Sequence, residues 1–483
     1  MGYMKLEINE GLSFDDVLLI PGYTDIAPGE ADVTSRLIGN IYVNVPIMSA
    51  AMDTVTDARM AIALALEGGV GVIHRNFKPH QQAEEVEKVK RYLNWVIKNP
   101  GVIDQNATLA DLRNLMVANN ASGIPVVNRN KRLCGIVTSR DLRFCTDDRV
   151  LIKDIMTKKV IYEKGTPSVE SAQKKFDTYK IEKLPVIDDK HRVIGLLTYK
   201  DMDKKRRHPN AALDGTGRLL VGAAISPKDY DQRIPLLMES NVDFVIMDTA
   251  TGDTKESAAA IRDIKKKYNI LVMGGNTVTA EATKRLIDAG ADAVKIGIGP
   301  GSICTTRIIS GCGMPQFSAV LDCAEEAKKY NIPVIADGGI KYSGDIVKAL
   351  AAGASAVMIG NLFAGLKEAP GREIIYEGRI FKEYRGMGSL SAIGAGSGDR
   401  YCMKPGEDPV PEGIEGRVAF KGELKPYLHQ LVTGIKKGMA YCGCHNIDEL
   451  KKYRKFVKIT GAGLKESHVH DISITHEAPN YSK

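Results

Sequence analysis

Aromatic residues are scarce in this chain. One Trp, ten Phe and eighteen Tyr make up 6% of 483 residues. That is too few for the interleaved stacking surface on which single-stranded nucleic acid binds. Cysteines are also sparse. Cys134, Cys145, Cys304, Cys312, Cys323, Cys402, Cys442 and Cys444 never stand in CxxC spacing, and Cys442-Gly-Cys444 is too tight for a zinc site. No apolar run approaches the roughly 20 residues of a membrane span. The first residues, MGYMKLEINEGLSFDD, lack a signal-peptide core and the Ser/Thr of a myristoylation signal. Neither sign of charge dominates. The net charge is +7, and the longest unbroken Lys/Arg runs are short, at 204–207 and 265–267, which read as solvated faces rather than a nucleic-acid groove. These absences give the expectation of a reduced, cytoplasmic protein with no membrane or nucleic-acid partner.

What the chain does have is repetition. Eight short apolar runs recur at 45–50 (VPIMSA), 69–74 (GVGVIH), 220–225 (LVGAAI), 244–249 (FVIMDT), 271–276 (LVMGGN), 293–298 (AVKIGI), 333–338 (PVIADG) and 356–361 (AVMIGN). Near-continuous apolar runs of this length suit strands buried on both faces, as in parallel sheets. Helical patterns at 57–67, 255–268, 280–289, 318–330 and 343–352 fall between them. Eight strands alternating with helices predict an α/β fold, a (β/α)8 barrel. A doubly wound sheet is the alternative, disfavoured because no Rossmann fingerprint follows the first run. The alternation predicts a barrel built from 1–90 and 209–483 around an insertion at 91–208. No barrel unit is read between 75 and 218, and 90–100 and 204–210 read as polar linkers. Inside the insertion SGIPVV (122–127) is matched by EKLPVI (182–187), and GIVTSRD (135–141) by GLLTYKD (195–201), each sixty residues on. Such self-similarity means two copies of one unit packed together. After the eighth run, 372–384 reads as a hairpin turning at Glu377-Gly378. A Gly/Ser/Pro-rich loop at 385–418 has the composition of a mobile functional flap. Residues 424–438 return to helical periodicity, and the tail at 459–483 reads as loop.

The chemistry concentrates at 295–316, KIGIGPGSICTTRIISGCGMPQ. Gly297, Gly299 and Gly301 let backbone amides approach an anion without a Cβ in the way, and Cys304 stands beside that turn. Alone, such a glycine string is a weak signal. Barrel active sites, however, lie at the C-terminal strand ends. Those ends carry Met52 and Asp53, His74, Asp248, Asn276, the 297–304 turn, Asp337 with Gly338 and Gly339, and Gly360 with Asn361. Glycine turns after strands seven and eight suit a phosphate, and a carboxylate there suits ribose hydroxyls. Taken singly, each glycine fits plain turn geometry, and Asp337 fits a helix cap or an internal salt bridge. Taken together they predict a nucleoside monophosphate site.

Six strings in order carry a resemblance to the inosine-5′-monophosphate dehydrogenase family: GLSFDDVLL (11–19), SAAMDTVT (49–56), GPGSICTT (299–306), EYRGMGSL (383–390), DRY (399–401) and VPEGIEGRV (410–418). The resemblance implies that Cys304 attacks C2 of inosine monophosphate (IMP), that hydride passes to NAD, and that the thioimidate is hydrolysed to xanthosine monophosphate (XMP). It implies Arg400 and Tyr401 as the flap pair for hydrolysis, with a closed, low-dielectric site helping arginine act as base. Thr306 and Glu412 match a proton relay, and Glu412 also the reader of the purine edge. Ser302, Gly339, Gly360, Asn361 and Tyr384 match phosphate positions and Asp337 the ribose position. Met52, Gly386, Met387 and Gly388 complete the substrate set. Asp248, Asn276, Gly297 and Gly299 match the nicotinamide side of the cofactor site. Gly299, Gly301 and Cys304 resemble half of a potassium site, completed by Glu466, Ser467 and His468 of a neighbouring subunit, so a homotetramer is implied. The 60-residue repeat resembles a tandem CBS pair, with Thr138, Asp141, Thr198 and Asp201 at its ribose-facing positions. That pair either binds a nucleotide, with octamers as one consequence, or is a spacer. Thr251, Asn361, Cys402 and Met403 depart from the common pattern. A GMP reductase is the nearest alternative. A nucleotide sensor with an inactive barrel is the alternative of another class.

Overall fold

The computed structural model describes residues 8–93, 96–98, 100–119, 121–143, 145–165, 167–401 and 408–481. Two compact units emerge, one from 1–92 with 210–483 and the other from 93–209.

The first unit is a closed eight-stranded parallel barrel. Its strands are β1 (Ile47–Ser49), β2 (Val70–Ile73), β3 (Val221–Ile225), β4 (Phe244–Met247), β5 (Leu271–Thr277), β6 (Ala293–Ile296), β7 (Val334–Asp337) and β8 (Ala356–Ile359). All eight runs read from the sequence are barrel strands. Closure pairs β8 with β1 in the register Val357 to Ile47. Met48, Val72, Ala224, Phe244, Ile246, Met273, Ile335 and Met358 fill the interior. Leu37, Ile38 and Val43, from the hairpin Ser35–Ile38 and Ile41–Val43, join the same cluster. The hairpin packs at the end at which the strands begin: Ser35 Oγ donates to the Ser355 carbonyl just before β8, and Gly39 lies against Leu271 at the start of β5. Burying side chains of this size is worth about 1.5–3 kcal/mol each.

The helices between strands start on side-chain caps. Asp57 accepts from Arg59 and Met60 N–H at the start of Ala58–Leu66, and Thr254 from Ser257 N–H at Lys255–Lys267. Two of the barrel helices were not read from the sequence. Pro79–Tyr92 and Tyr230–Glu239 follow β2 and β3 and pack on each other. A barrel helix therefore lies inside the stretch 75–218 that was read as holding no barrel unit, and the compact insertion spans 93–209 beside the expected 91–208. Polar composition hid the first helix, and Pro235 hid the second. Nor is Lys90 a linker residue. It is buried, and its Nζ donates to Asp214 at 3.1 Å and Asp243 at 2.5 Å. Residues 96–98 are strand and Tyr199–Arg207 is helix, so those flanks are regular too. The eighth barrel helix is Leu424–Tyr441, which packs on both Ala58–Leu66 and Ser343–Ala351. Among the described residues, no helix is long and apolar enough to cross a membrane.

Between β8 and that last helix the chain makes an excursion. Glu373–Tyr376 and Arg379–Arg385 form the hairpin at Glu377-Gly378, both with positive φ, and Glu415–Ala419 adds a third strand. The short turns Leu390–Ala392, Ile393–Ser397 and Gly398–Tyr401 lie between. Cys402 and Met403 fall outside the described residues. The tail departs from its reading as loop: Gly461–Ser467 is a helix capped by Thr460. Two glycines in a seven-residue element conceal it.

The second unit repeats itself. Gly123–Val127 pairs antiparallel with Leu133–Thr138, and Lys183–Ile187 with Val193–Thr198. The same register shift occurs at Val126/Val127 and at Val186/Ile187. The copies have separate cores, one around Leu109, Ile124 and Val137 and the other around Phe176, Leu184 and Leu197.

Candidate active site

The turn after β6 has no room for side chains. A Cβ on Gly297, at φ +142°, would lie 2.2 Å from the Asp337 carbonyl oxygen, and one on Gly299, at φ +78°, 2.4 Å from Arg307 Cγ. Arg307 secures the turn by donating to the Ile298 carbonyl at 3.1 Å and to the Met314 carbonyl. Gln316 ties the ends of β6 and β7 together, its Nε2 donating to the Ile296 and Asp337 carbonyls at 2.9 and 3.1 Å. Cys304 is thereby held half-buried at the open end of the barrel.

The excursion brings Glu412 to it. Pairing beyond Arg379–Arg385 and Glu415–Ala419 continues through Gly386 N–H to the Ile414 carbonyl and Glu412 N–H to the Gly388 carbonyl. Glu412 then lies against the Cys304 turn, where Thr305 N–H donates to its carbonyl at 3.0 Å. The side chains form a chain. Cys304 Sγ donates to Thr306 Oγ1 at 3.2 Å, and Thr306 Oγ1 donates to Glu412 Oε2 at 2.7 Å, 106 residues away in sequence.

The flap lies across the same mouth. Arg400 is ion-paired with Asp248, and its carbonyl accepts from Ala250 N–H at 3.2 Å. Burial by itself lowers the pKa of Arg400, but the Asp248 carboxylate overcomes it and holds the pKa above the ordinary arginine value. The closed site therefore does not make Arg400 a readier base, contrary to expectation, because it encloses a carboxylate along with the guanidinium. Asp248 is also buried, and although burial raises its pKa, Arg400, Lys295 and Arg75 together hold it below the usual range. Burial pushes the Tyr401 phenol up. At the flap's base Arg385 grips Asp53 at 3.1 and 2.6 Å, with Asn76 donating to the same carboxylate at 2.7 Å.

Two adjoining clefts share this mouth. The first, about 870 Å³, is lined by Cys304, Thr306, Glu412, Arg400 and Tyr401, by Asp248, Asn276, Gly297 and Gly299, and by Gly386, Met387 and Gly388. The second, about 990 Å³, is lined by Ser302, Gly339, Gly360 and Asn361. Met52, Gly301, Asp337 and Tyr384 line both. Tyr384 is buried with its pKa pushed up to about 12, mainly by burial, and it shares a hydrogen bond with Ser302. Asp337 Oδ2 accepts from Lys295 Nζ at 2.7 Å and Asn276 Nδ2 at 2.9 Å. Thr251 is exposed on the loop after β4.

Other sequence-predicted residues lie elsewhere. Glu466 and Ser467 end the tail helix, and His468 follows, its Nδ1 3.0 Å from the Tyr481 hydroxyl. They line neither cleft within one chain. In the second unit, Thr138 donates both N–H and Oγ1–H to Asp141 Oδ2, at 2.7 and 2.8 Å. Thr198 is buried, and the side chain of Asp201 is outside what is described. Sequence reading missed Lys295, Gln316 and Arg307. Lys295 had a signal: a lysine inside an apolar run read as a strand buried on both faces.

Comparisons with known proteins agree over nearly the whole length. The profile of the IMP dehydrogenase / GMP reductase domain matches residues 11–470. Inosine-5′-monophosphate dehydrogenases of Halalkalibacterium halodurans and Aquifex aeolicus are each 51% identical, covering 98% and 99% of both chains respectively. That of Bacillus subtilis is 48% identical over 98% of both chains. Among solved structures, a cysteine-to-alanine GMP reductase of Trypanosoma brucei in complex with guanosine 5′-monophosphate superposes with a TM-score of 0.86. It is 38% identical, with 96% of this chain and 99% of that chain covered. By profile, by sequence and by fold, this chain belongs to the IMP dehydrogenase / GMP reductase family.

Proposed function

We propose that this protein oxidises IMP to XMP, taking oxygen from water and passing hydride to NAD, the committed step towards guanine nucleotides. The observation that carries this reading is the hydrogen-bonded chain Cys304–Thr306–Glu412 in a cleft also lined by Arg400 and Tyr401. Cys304, as thiolate, bonds to C2 of the purine, its proton passing through Thr306 to Glu412 and on to solvent before water enters, so that Glu412 is again a carboxylate for the hydrolytic step. The sp3 carbon so formed releases its hydrogen as hydride. Water then adds to C2 of the thioimidate, the C–S bond breaks, and Cys304 leaves as thiolate. NAD supplies the hydride acceptor, and Asp248, Asn276, Gly297 and Gly299 would hold its nicotinamide side. Asp337 would bind the ribose. Ser302, Gly339, Gly360, Asn361 and Tyr384 would bind the phosphate, and Met52, Met387 and Gly388 the base.

Arg400 pairs with Asp248, one of the residues assigned to the nicotinamide side. Flap and cofactor then occupy one place in turn, which suits hydride transfer followed by hydrolysis. Arginine is a poor base at its ordinary pKa, and pairing with Asp248 makes it poorer. This favours Glu412, through Thr306, as acceptor of the water proton while the flap is docked. Arg400 then serves as the cation that stabilises the forming anion.

Carbonyls of Gly299, Gly301 and Cys304 offer the oxygen donors a hard monovalent cation takes. Glu466, Ser467 and His468 would complete a potassium site only from a second copy of the chain, which supports a homotetramer. We read unit 93–209 as a tandem CBS pair, with Thr138, Asp141, Thr198 and Asp201 as its nucleotide contacts, and place the enzyme in the cytoplasm.

GMP reductase is the second reading, favoured by the solved structure named above, whose overall architecture does not separate the two activities. The dehydrogenases at about 50% identity and the Arg400-Tyr401 pair favour oxidation. Purified protein is given IMP with NAD, and separately GMP with NADPH, while reduced-cofactor absorbance is followed. NADH formation in the first mixture is expected. Turnover in the second alone overturns the reading.

A further inference from the structure

Lys295 is the one lysine of the 293–298 strand run AVKIGI. Its side chain is buried at 3% exposure. Burying an ammonium is costly unless it is fully paired, and its pairing here is specific. Nζ donates to Asn276 Oδ1 and to Asp337 Oδ2, the latter at 2.7 Å. Asn276 Nδ2 in turn donates to the Gly297 carbonyl at 2.7 Å and to the same Asp337 oxygen at 2.9 Å. One ammonium thus closes a network across β5, β6 and β7. Room for it comes from Gly275, its register partner on β5, where a Cβ would lie 2.7 Å from Lys295 Cβ.

The two groups it holds belong to different halves of the site. Asn276 stands on the side assigned to the nicotinamide, and Asp337 on the side assigned to the ribose. An amide has two faces of opposite character. With Oδ1 fixed by Lys295, Asn276 must present Nδ2 to Gly297 and Asp337. Lys295 also acts on Asp248, together with Arg75 and Arg400. Arg400 is carried by the flap, whereas Lys295 sits on a barrel strand and stays when the flap lifts.

We infer that Lys295 is a positioning residue that locks Asn276 and Asp337 in their binding orientations, coupling the cofactor half of the cleft to the substrate half. The inference rests on the dehydrogenase reading above. It assigns Lys295 no contact with reacting atoms.

Steady-state kinetics of the full-length enzyme test it. In Lys295→Met, which keeps the stem and removes the charge, KM for IMP and KM for NAD are each expected to rise about tenfold. The kcat at saturation should fall less than threefold. Lys295→Arg, which keeps a cation in the slot, should recover part of both KM values. A merely structural role gives the opposite split, with less active protein, a lower apparent kcat and both KM values near wild type. If both KM values stay within twofold of wild type in Lys295→Met, the inference is overturned. Should that variant not fold, Lys295→Gln is judged by the same criterion. If wild-type protein makes no NADH from IMP and NAD, it is the functional reading that fails. Calorimetric IMP binding to wild type and Lys295→Met then decides the Lys295 inference, with a tenfold loss of affinity supporting it and an unchanged affinity overturning it.

Discussion

The two units of this chain use repetition in opposite ways. The barrel repeats a βα unit eight times, yet its strand ends do not repeat one chemistry: β4 to β7 lead to a carboxylate at Asp248, an amide at Asn276, a thiol at Cys304 and a carboxylate at Asp337. The 93–209 unit repeats once, and both copies carry the same Thr and Asp sixty residues apart. In the barrel Asp248 and Asn276 are buried, Cys304 and Asp337 are half-buried, and all four line one open cleft. In the first copy of the repeat, Asp141 accepts two hydrogen bonds from Thr138 beside its own strand end. Repeated backbone units thus carry unlike side chains at the barrel mouth and like side chains in the two copies of the smaller unit.

The sharpest break of this contrast is at the thiol. Cys304→Ala should lower NADH formation from IMP by roughly a thousandfold or more, with IMP binding measured by calorimetry largely kept. Retained turnover would place the nucleophile elsewhere. Next comes Arg400→Ala. Its steady-state rate should fall by about a hundredfold or more, while a rapid first turnover of NADH survives and covalent adduct accumulates in intact-mass spectra. An unchanged steady state would remove Arg400 from the hydrolytic step. Glu412→Gln should cost about ten- to a hundredfold in kcat. It should do so most clearly where the flap is docked, so Glu412→Gln combined with Arg400→Ala is expected to be less than additive.

A smaller effect concerns pH. His74 is buried beside Phe77, and desolvation lowers its pKa from 6.5 to about 4 against the opposing pull of Asp53, Asp57 and Glu85. Its folded pKa lies below the unfolded value, so between those two values the unfolded chain binds more protons. Stability is therefore full above pH 6.5 and falls as pH drops towards 4, by about 3 kcal/mol at most from this group. His74→Phe should flatten the urea midpoint over that window, and a slope equal to wild type would refute the assignment. The smallest effect is expected in the repeat. Thr138→Ala should leave turnover of IMP and NAD within twofold when no other nucleotide is added, and a larger loss would erase the contrast between the units.

How much of this was readable from residues alone varies by region. All eight strands were legible because parallel strands buried on both faces leave continuous apolar runs. Pro79–Tyr92 was not, since a helix that buries only one stripe and carries Glu and Lys on the rest resembles a linker in composition. The site residues could be named one strand end at a time. Their partners could not: nothing in 293–298 says that its lysine will meet Asn276 and Asp337. Likewise, nothing near 400 says that Arg400 will rest on Asp248.

By itself, then, the sequence determined the barrel, the repeat and the set of groups at the strand ends, because periodicity and turn chemistry are local properties written in adjacent residues. Tertiary structure alone decided which charges share one buried space. Closure of the barrel brings β5, β6 and β7 together around Lys295, and the pairing of Arg379–Arg385 with Glu415–Ala419 carries Glu412 to Thr306. The sign of the Arg400 shift follows from that enclosure. Burial without Asp248 would favour the neutral base, and burial with it holds the cation.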